Sequence, residues 1–371
     1  MTPLAALLAE RIRRFGPITF AEYMRECLYH PVHGYYSQPE VRRFADYYTS
    51  VDVHPIFGRL LTRQFAEMWE HLGRPAGFRL VEVAAGTGRL ARHVLDFAET
   101  KLPEFYRAMH YVAVERSPAR CDQLTGHLAR HIAEGRCHTA IEMPGKIPMG
   151  CVFSNELLDA LPVHRVIQHD GALQEIFVAS NGARFSEVQE ALSTCAISEY
   201  FAAQGISLVE EQLAEAGLEG CDWIGEVGRR LDCGFVLTID YGHEASDLFD
   251  AHHMAGTVLA YANHRASEDF YAAPGEQDLT AHVNFTALRE CGERSGLRGL
   301  GLVSQTAFLL ALGQGNGFAD LYDDGMSGTE RVRARLQLKT LIFPEAMGER
   351  FQVLVQQKGM PEARLTGLSG I

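Results

Sequence analysis

Short apolar runs alternate with longer amphipathic stretches from residue 78 to about residue 240. The runs are rich in β-branched residues and predict five strands, at 78–83, 111–115, more weakly at 137–143, and at 151–154 and 234–239. Between the first two strands, the apolar residues of 90–108 recur at the helical period, and Ser117-Pro118 is a typical helix start. This order is typical of βαβ units, so we predict an α/β protein with a mostly parallel sheet.

The segments around this pattern differ from it. Two helical stretches, 3–15 and 54–72, flank a loop rich in Tyr, Pro, Gly and His, and they predict an N-terminal helical cap over 1–74. The core is then predicted over 75–345, interrupted between strands four and five by an insertion at 163–233. The insertion is expected to form a hairpin that turns at Asp170-Gly171 and then a helix at 208–231. The apolar run at 307–312 is expected to finish the sheet, and 346–371 to form a C-terminal tail.

Composition argues against several classes of protein. No apolar run approaches the roughly 18 residues that span a bilayer, and the first residues lack a secretory pattern. The formal net charge of −13 argues against nucleic acid as a partner. The eight cysteines are scattered, which favours a reducing compartment. The Arg-rich start could suggest a mitochondrial transit peptide, but it has no Ser and contains Glu10, so we interpret it as the first helix of a cytoplasmic protein. His127 and His131 have a spacing that can hold a metal, but no third ligand is close in sequence, so we expect two solvated histidines and no metal.

The strongest local signal is VEVAAGTG at 81–88, where a predicted strand runs into a glycine turn before a helix. Glycines allow the backbone to approach a ligand closely, and the helix start offers free N–H groups. Gly86-x-Gly88-x-x-Ala91 also fits the dinucleotide fingerprint, with Glu115 placed to hold ribose hydroxyls. A simple tight turn is the structural alternative. We therefore predict a nucleotide-type site, for either a nicotinamide dinucleotide or S-adenosylmethionine.

Two acidic features favour S-adenosylmethionine. Glu82 lies just before the glycine turn, where a carboxylate would repel a pyrophosphate but suits a ligand with an ammonium and a sulfonium. The stretch SNELLD at 154–159 follows the fourth strand, at the edge where a doubly wound sheet presents the reacting end of its ligand. Glu156 and Asp159 are therefore candidate catalytic acids. The alternative is an ordinary helix N-terminus capped by Asn155.

Several further blocks follow one another along nearly the whole chain. They are GPITFAEYM at 16–24, YHPVHGYY at 29–36, YTS at 48–50 with FG at 57–58, NE at 155–156 with DALPVH at 159–164, IDYG at 239–242, and PGEQDLTAHVNF at 274–285. In these blocks the sequence resembles the MidA-like class I S-adenosylmethionine-dependent methyltransferases. Several blocks in one order are far more specific than a glycine turn alone.

The resemblance implies a Rossmann-like class I methyltransferase fold and S-adenosylmethionine as cofactor. The cofactor-binding residues that it implies are Glu82, Ala84, Gly86, Gly88, Glu115 and Asn155, with Asp46, Thr49 and Ser50 on a loop that would close over the cofactor. Ala84 stands where the family has a glycine. An alanine at a site that needs a positive φ carries a penalty of about 1 kcal/mol, so either φ is negative here or cofactor binding is weakened.

The resemblance also implies a protein arginine methyltransferase that acts on a respiratory-complex subunit. Carboxylates orient the planar guanidinium, a role for Glu156 and Asp159. His282 is a candidate to accept the leaving proton, with Asp240 bracing it. Alternatively, Asp278 caps a helix and His282 packs beneath it. Methylation of a small molecule, a non-catalytic assembly role and a homodimer remain open alternatives.

Overall fold

The computed structural model describes residues 1–37, 54–182, 184–262, 265–343 and 351–369. Within these ranges the chain forms two compact units. We call residues 54–157, 225–241 and 292–369 the core unit, and residues 1–37, 158–224 and 242–291 the cap unit.

The strands and helices are numbered in chain order. The strands are β1 (Ile18–Thr19), β2 (Phe78–Val83), β3 (Met109–Val114), β4 (Cys137–Ala140), β5 (Gly150–Asn155), β6 (His164–His169), β7 (Ala172–Ser180), β8 (Phe185–Glu190), β9 (Leu213–Ala216), β10 (Gly234–His243), β11 (Leu259–Ala262), β12 (Arg265–Ser267), β13 (Asp278–Thr280), β14 (Val283–Asn284), β15 (Arg298–Ser304) and β16 (Phe351–Lys358). The α-helices are α1 (Pro3–Phe15), α2 (Phe20–Tyr29), α3 (Ile56–His71), α4 (Arg89–Lys101), α5 (Pro103–Ala108), α6 (Pro118–Ala133), α7 (Cys195–Ala203), α8 (Leu218–Arg230), α9 (Ala245–Leu248), α10 (Phe285–Arg294), α11 (Gln305–Gln314) and α12 (Gly328–Ile342). Short 3₁₀ turns lie at Tyr35–Ser37, Ala319–Leu321 and Thr366–Leu368.

The core unit contains a mixed, mostly parallel sheet in the order β4-β3-β2-β5-β10-β16-β15. Strands β2, β3, β4, β5 and β10 are parallel, and β16 runs antiparallel to both of its neighbours. The predicted α/β class and parallel sheet are confirmed. Strand β2 has the predicted bounds, and its apolar side chains join a core in which Phe65 of α3 contacts Phe153 of β5 with ring centroids 4.8 Å apart.

Two expectations for the end of the chain are wrong. The apolar run at 307–312 lies within α11, where the Ser304 side chain caps the helix by accepting from the Ala307 N–H. The region 346–371 is not a tail, because β16 is an inner strand between β10 and β15. Its alternating residues Phe351, Val353 and Val355 are buried in the core.

The single helix predicted over 90–108 is instead two helices, α4 and α5, with the break before Pro103.

The cap unit is built on antiparallel sheets. One has the order β1-β7-β6-β9 with β8 beside β7, and the other has the order β12-β11-β13. The predicted hairpin joins β6 to β7, and Asp170 and Gly171 both have positive φ, as a type I′ turn requires. The helix predicted at 208–231 begins only at Leu218, because Leu213–Ala216 pairs with β6 as β9.

The N-terminal cap also differs from its expected bounds. Helices α1 and α2 belong to the cap unit, whereas α3 belongs to the core unit. Helix α2 was not predicted, although Thr19 and Glu22 form a capping box at its start. No helix in the described part of the chain is both long and apolar enough to span a membrane.

Candidate functional site

The order of the core sheet reverses at β2, whose neighbours are β3 on one side and β5 on the other. The strand register pairs Val83 with Ser154, so the residues that follow β2 and β5 leave the same edge of the sheet. In open α/β sheets, ligands bind in the crevice at such a reversal, outside the carboxyl ends of the strands. The glycine turn and the 154–157 stretch therefore lie at the expected ligand-binding edge.

The glycine turn is built on left-handed backbone at alternate residues. The φ angles are +63° at Ala84, +57° at Gly86 and +82° at Gly88, the residue that precedes α4. Ala84 therefore takes a strained conformation that a glycine would take freely, at a cost of about 1–2 kcal/mol. Ala85 fastens the turn to the sheet, because its N–H donates to the Val114 carbonyl over 2.9 Å.

Glu115 holds the other side of this turn. One carboxylate oxygen accepts from the Gly86 N–H at 2.9 Å, and the other accepts from the Ser117 N–H at 2.8 Å. The side chain is buried at the end of β3. Each of its oxygens has a second lone pair, so the same carboxylate has acceptor capacity for the hydroxyls of a ribose. That role remains a prediction.

Glu82 lies buried under the same turn. Its carboxylate accepts from the Tyr111 hydroxyl at 2.7 Å, and only 3% of the residue is exposed. Burial raises the pKa of this carboxyl to about 8, against the lowering effect of the Tyr111 hydrogen bond and with a smaller increase from Glu115. An incoming ammonium would favour the ionised form, since an opposite charge offsets the cost of desolvation.

The residues after β5 form a strained bend. Glu156 has a φ of +54°, and its carboxylate accepts from the Asn155 Nδ2 at 3.0 Å. The Glu156 N–H donates to the Ile239 carbonyl at 3.0 Å, and the Leu157 N–H donates to Asp240 at 3.1 Å. No helix begins here in the described chain, so the alternative of a helix capped by Asn155 is wrong.

These residues fit a nucleoside ligand that also carries an ammonium. The Asn155 Oδ1 is buried and has no hydrogen-bond partner in the part of the chain that the structure describes. A ligand N–H or O–H would supply that partner, which offsets the cost of an unsatisfied buried acceptor. Glu82, Glu115 and the turn at Gly86 and Gly88 complete a set suited to a cation, ribose hydroxyls and close backbone approach. The candidates Asp46, Thr49 and Ser50 lie outside the described residues.

The other two catalytic candidates belong to the cap unit. The Asp159 carbonyl accepts from the Ala281 N–H at 2.9 Å, which ties together the two motifs that contain Asp159 and His282. His282 is exposed, and its N–H donates to the Thr257 hydroxyl at 3.0 Å. The alternative of a helix capped by Asp278 is wrong, because Asp278 begins strand β13. The carboxylate of Asp240 accepts from the Leu157 and Tyr241 N–H groups; its bracing of His282 remains a prediction.

The two histidines of α6 do not converge on one point. His127 contacts the Thr87 carbonyl, whereas His131 is buried and contacts the Tyr106 hydroxyl at 2.7 Å and Asp96 at 2.9 Å. The expectation that both are solvated is wrong for His131. Asp96, Glu99 and His131 are close enough to hold a metal ion, but Arg130 already pairs with both acids.

A residue that the sequence analysis missed lies in a pocket of the cap unit. Glu215 of β9 lines this pocket together with Pro162, Tyr200, Thr257 and His282. It was missed because its segment was predicted to be helical. The four residues LAEA that form β9 are too short a segment to identify a strand from sequence.

The sequence of the chain is similar to those of known proteins. Residues 60–303 match a family described as S-adenosyl-L-methionine-dependent methyltransferases. The chain is 30% identical to the protein arginine methyltransferase NDUFAF7 homolog, mitochondrial, of Drosophila melanogaster, over 98% of this chain and 86% of that protein. It is 27% identical to protein arginine methyltransferase NDUFAF7, mitochondrial, of Homo sapiens, over 99% of this chain and 85% of that protein.

A solved structure is similar over almost the full length. It is a COG1565 superfamily member from Burkholderia thailandensis bound to S-adenosyl-homocysteine, with a TM-score of 0.88 and 28% sequence identity. The similarity covers 99% of this chain and 94% of that chain.

Proposed function

The chain belongs to a family of S-adenosyl-L-methionine-dependent methyltransferases, and from this premise we propose that it methylates arginine side chains of a protein. It is an enzyme of the methyltransferase class, and its cofactor is S-adenosylmethionine. Relatives named protein arginine methyltransferases support the choice of acceptor. A respiratory-complex subunit as the substrate is part of the same proposal.

The observation that carries the proposal is the backbone of Glu156. A left-handed conformation costs a residue other than glycine about 1–2 kcal/mol, and it persists where neighbouring contacts hold it. Here the Ile239 carbonyl holds the Glu156 N–H, and Asn155 orients the carboxylate. The strain places an acidic side chain at the carboxyl end of β5, one strand away from the glycine turn.

A carboxylate at this place suits a guanidinium acceptor. The cofactor supplies a methyl group on a sulfonium, and its transfer needs little acid or base help but needs an aligned nucleophile. The two oxygens of Glu156 can accept two coplanar N–H groups, which fixes the plane of the guanidinium and the direction of one nitrogen. We assign Asp159 as a second orienting acid and His282 as the acceptor of the leaving proton.

The experiment is a product assay with matched acceptors. The purified chain is incubated with S-adenosylmethionine that carries a labelled methyl group and with two peptide pools that differ only in having arginine or lysine at one position. After acid hydrolysis, chromatography separates methylarginine from methyllysine. We expect labelled methylarginine from the arginine pool alone. Label in methyllysine, or label only in added small-molecule extracts, would contradict the proposal.

Two further assignments accompany this function. We propose a cytoplasmic location, which cell fractionation tests against the mitochondrial location given in the relatives' names. We also propose a homodimer, which light scattering tests: a mass near 82 kDa, twice the 41.1 kDa of the chain, is expected. A mass of one chain at all concentrations would contradict the dimer.

A further inference from the structure

Helix α12 of the core unit is apolar on two opposite faces. Its buried face joins the hydrophobic core through Ala334, Leu338 and Leu341. Val332 and Leu336 are each two residues from Ala334, which places them about 160° around the helix axis from it. They are 56% and 58% exposed. The helix therefore presents more apolar surface than the described residues cover.

A third exposed apolar side chain extends the outer face. Phe343 directly follows α12, two helical turns after Leu336, and it is 48% exposed. Its N–H donates to the Lys339 carbonyl at 2.9 Å, so position 343 continues the last turn of the helix. We call Val332, Leu336 and Phe343 the outer stripe. It extends over about 16 Å along the helix axis.

Exposed cations flank the outer stripe on both sides. They are Arg331, Arg333, Arg335 and Lys339. By the helical period, Arg335 and Lys339 lie on one side of the stripe and Arg333 on the other. The one acid of α12, Glu330, caps the helix, because its carboxylate accepts from the Ser327 N–H at 2.8 Å and from the Ser327 hydroxyl at 2.7 Å. The helix thus has a net charge of +3 in a chain with a formal charge of −13.

The charge of these cations is not compensated within the described residues. Exposed arginines on other helices pair with an acid of their own helix. In α1, Arg14 pairs with Glu10 at 2.7 Å. In α8, Arg229 pairs with Glu226 at 2.6 Å. The four cations of α12 form no ion pair in the part of the chain that the structure describes. An acidic partner would supply the missing charges.

Two of the cations are held in place by an aromatic ring. The guanidinium groups of Arg331 and Arg335 lie 5.0 and 5.9 Å from the centre of the Tyr322 ring. The Arg335 Nε also donates to the Tyr322 hydroxyl at 2.7 Å. A ring contact restricts such a side chain but leaves its positive charge in place. Because the side chains are already restricted, they lose less conformational entropy when a partner binds.

A narrow apolar stripe between cations is typical of a contact between two helices. In such contacts the apolar residues of both helices interlock, and the charged residues beside them pair across the contact. A lipid surface is less suitable, because a helix at a membrane surface buries a broad apolar half, and the broad apolar half of α12 is packed in the core. A second copy of α12 is also less suitable, because it would bring the same cations together.

We propose that the outer stripe of α12 is a docking surface for an acidic amphipathic helix of a protein partner. The apolar side of that helix would cover Val332, Leu336 and Phe343, and its carboxylates would pair with the flanking cations. The proposal does not depend on which acceptor the enzyme methylates.

The first test uses a designed peptide as the partner. The acidic peptide has about three heptads, with Ile and Leu at the two apolar positions and Glu beside them, and the neutral peptide has Gln in place of each Glu. Fluorescence anisotropy measures the affinity of each peptide for the full chain. In low salt the acidic peptide should bind at least about tenfold more tightly, and about 0.5 M salt should remove this preference. Equal affinities, or no binding of either peptide, would overturn the inference.

Substitutions then locate the binding surface. Leu336→Gln should weaken binding of the acidic peptide at least about tenfold, because it removes the centre of the outer stripe. The matched control is Leu7→Gln in the cap unit, where the leucine is 50% exposed, and this change should leave the affinity unchanged. Arg333→Gln should weaken the acidic peptide about threefold and leave the neutral peptide unchanged. Full affinity in Leu336→Gln, or an equal loss in Leu7→Gln, would overturn the inference.

The second test needs no substitution and so does not depend on the folding of a variant. Hydrogen exchange is followed by mass spectrometry in the full chain with and without the acidic peptide. Exchange over residues 328–343 should slow at least about threefold, and exchange over residues 3–15 of α1 should stay unchanged. Unchanged exchange over 328–343 with the peptide bound would place the peptide elsewhere and overturn the assignment.

Two other occupants of the stripe give distinct results. One is a membrane: binding to vesicles with about one third anionic lipid, lost in Leu336→Gln and without binding of the acidic peptide, would overturn the proposal in favour of lipid. The other is a second copy of the chain. A dimer in light scattering that Leu336→Gln dissociates would show that the partner copy covers the stripe and would equally overturn the proposal.

Discussion

Replacing Ala84 with glycine should stabilise the core unit. The φ of +63° costs an alanine about 1–2 kcal/mol, and glycine removes this strain. Glycine adds about 0.4–1 kcal/mol of unfolded-chain entropy, so the net gain lies between about 0 and 1.6 kcal/mol, centred near about 0.8 kcal/mol. Ala84 is exposed, and the lost methyl group therefore removes no buried contact. For a domain of this size the gain corresponds to an increase in melting temperature of about 1–4 °C.

The assay uses the position of the two tryptophans. Trp69 lies in the core unit and Trp223 in the cap unit, so a Trp223→Phe background makes fluorescence report on the core unit during urea unfolding. The control is Ala85→Gly. Ala85 is buried and has no left-handed φ, so this change should lower the free energy of unfolding by about 1 kcal/mol. A lower free energy of unfolding for Ala84→Gly, or equal effects at both positions, would refute the assignment of strain to Ala84.

Two further predictions concern the stability of the same region. Burial raises the pKa of Glu82 from 4.5 to about 8. Between these values the native state keeps a proton that the unfolded chain releases, so the contribution of Glu82 to the free energy of unfolding falls as the pH rises from about 5 to about 8. In Glu82→Gln the urea midpoint should fall less with rising pH than in the wild type, whereas in the control Glu142→Gln it should fall as much as in the wild type. Equal pH dependence in all three chains would contradict the raised pKa of Glu82. Gly88→Ala should lower the urea midpoint more than Gly86→Ala, because both have positive φ but only a Cβ at 88 would come within 2.6 Å of Leu124. Equal losses would show that the contact with Leu124 has no effect.

The core sheet was largely predictable because its strands are short apolar runs between helices. Buried parallel strands carry such runs, and β2 has the predicted bounds. The 307–312 run shows where this signal is ambiguous: a short apolar run fits a buried helix as well as a strand. Ser304 as an N-cap was the local signal for the helix. Strand β16 was missed because α11 and α12 separate it from its partner β15, and pairing over that distance has no local signature.

The sequence predicted those residues of the candidate site that have suitable chemistry and stand at the ends of predicted strands. Glu82, Gly86 and Glu115 follow strands or end them, so the sheet topology brings them to one edge. Backbone conformation was not predictable in the same way: the left-handed φ of Glu156 depends on contacts with β10, which is distant in sequence. Glu215 was missed for a similar reason, because its burial depends on the pairing of β9 with β6.

The most direct test of the account compares methyl transfer with cofactor affinity in Glu156→Gln. The arginine peptide pool gives the single-turnover rate of methyl transfer, and calorimetry gives the affinity for S-adenosyl-homocysteine, with Glu142→Gln, an exposed acid of the core unit, as control. We predict that Glu156→Gln transfers methyl at least about 100-fold more slowly, as expected for a misplaced nucleophile, while its affinity stays within about twofold of the wild type. Undiminished transfer, or loss of transfer together with cofactor binding, would contradict the role assigned to Glu156.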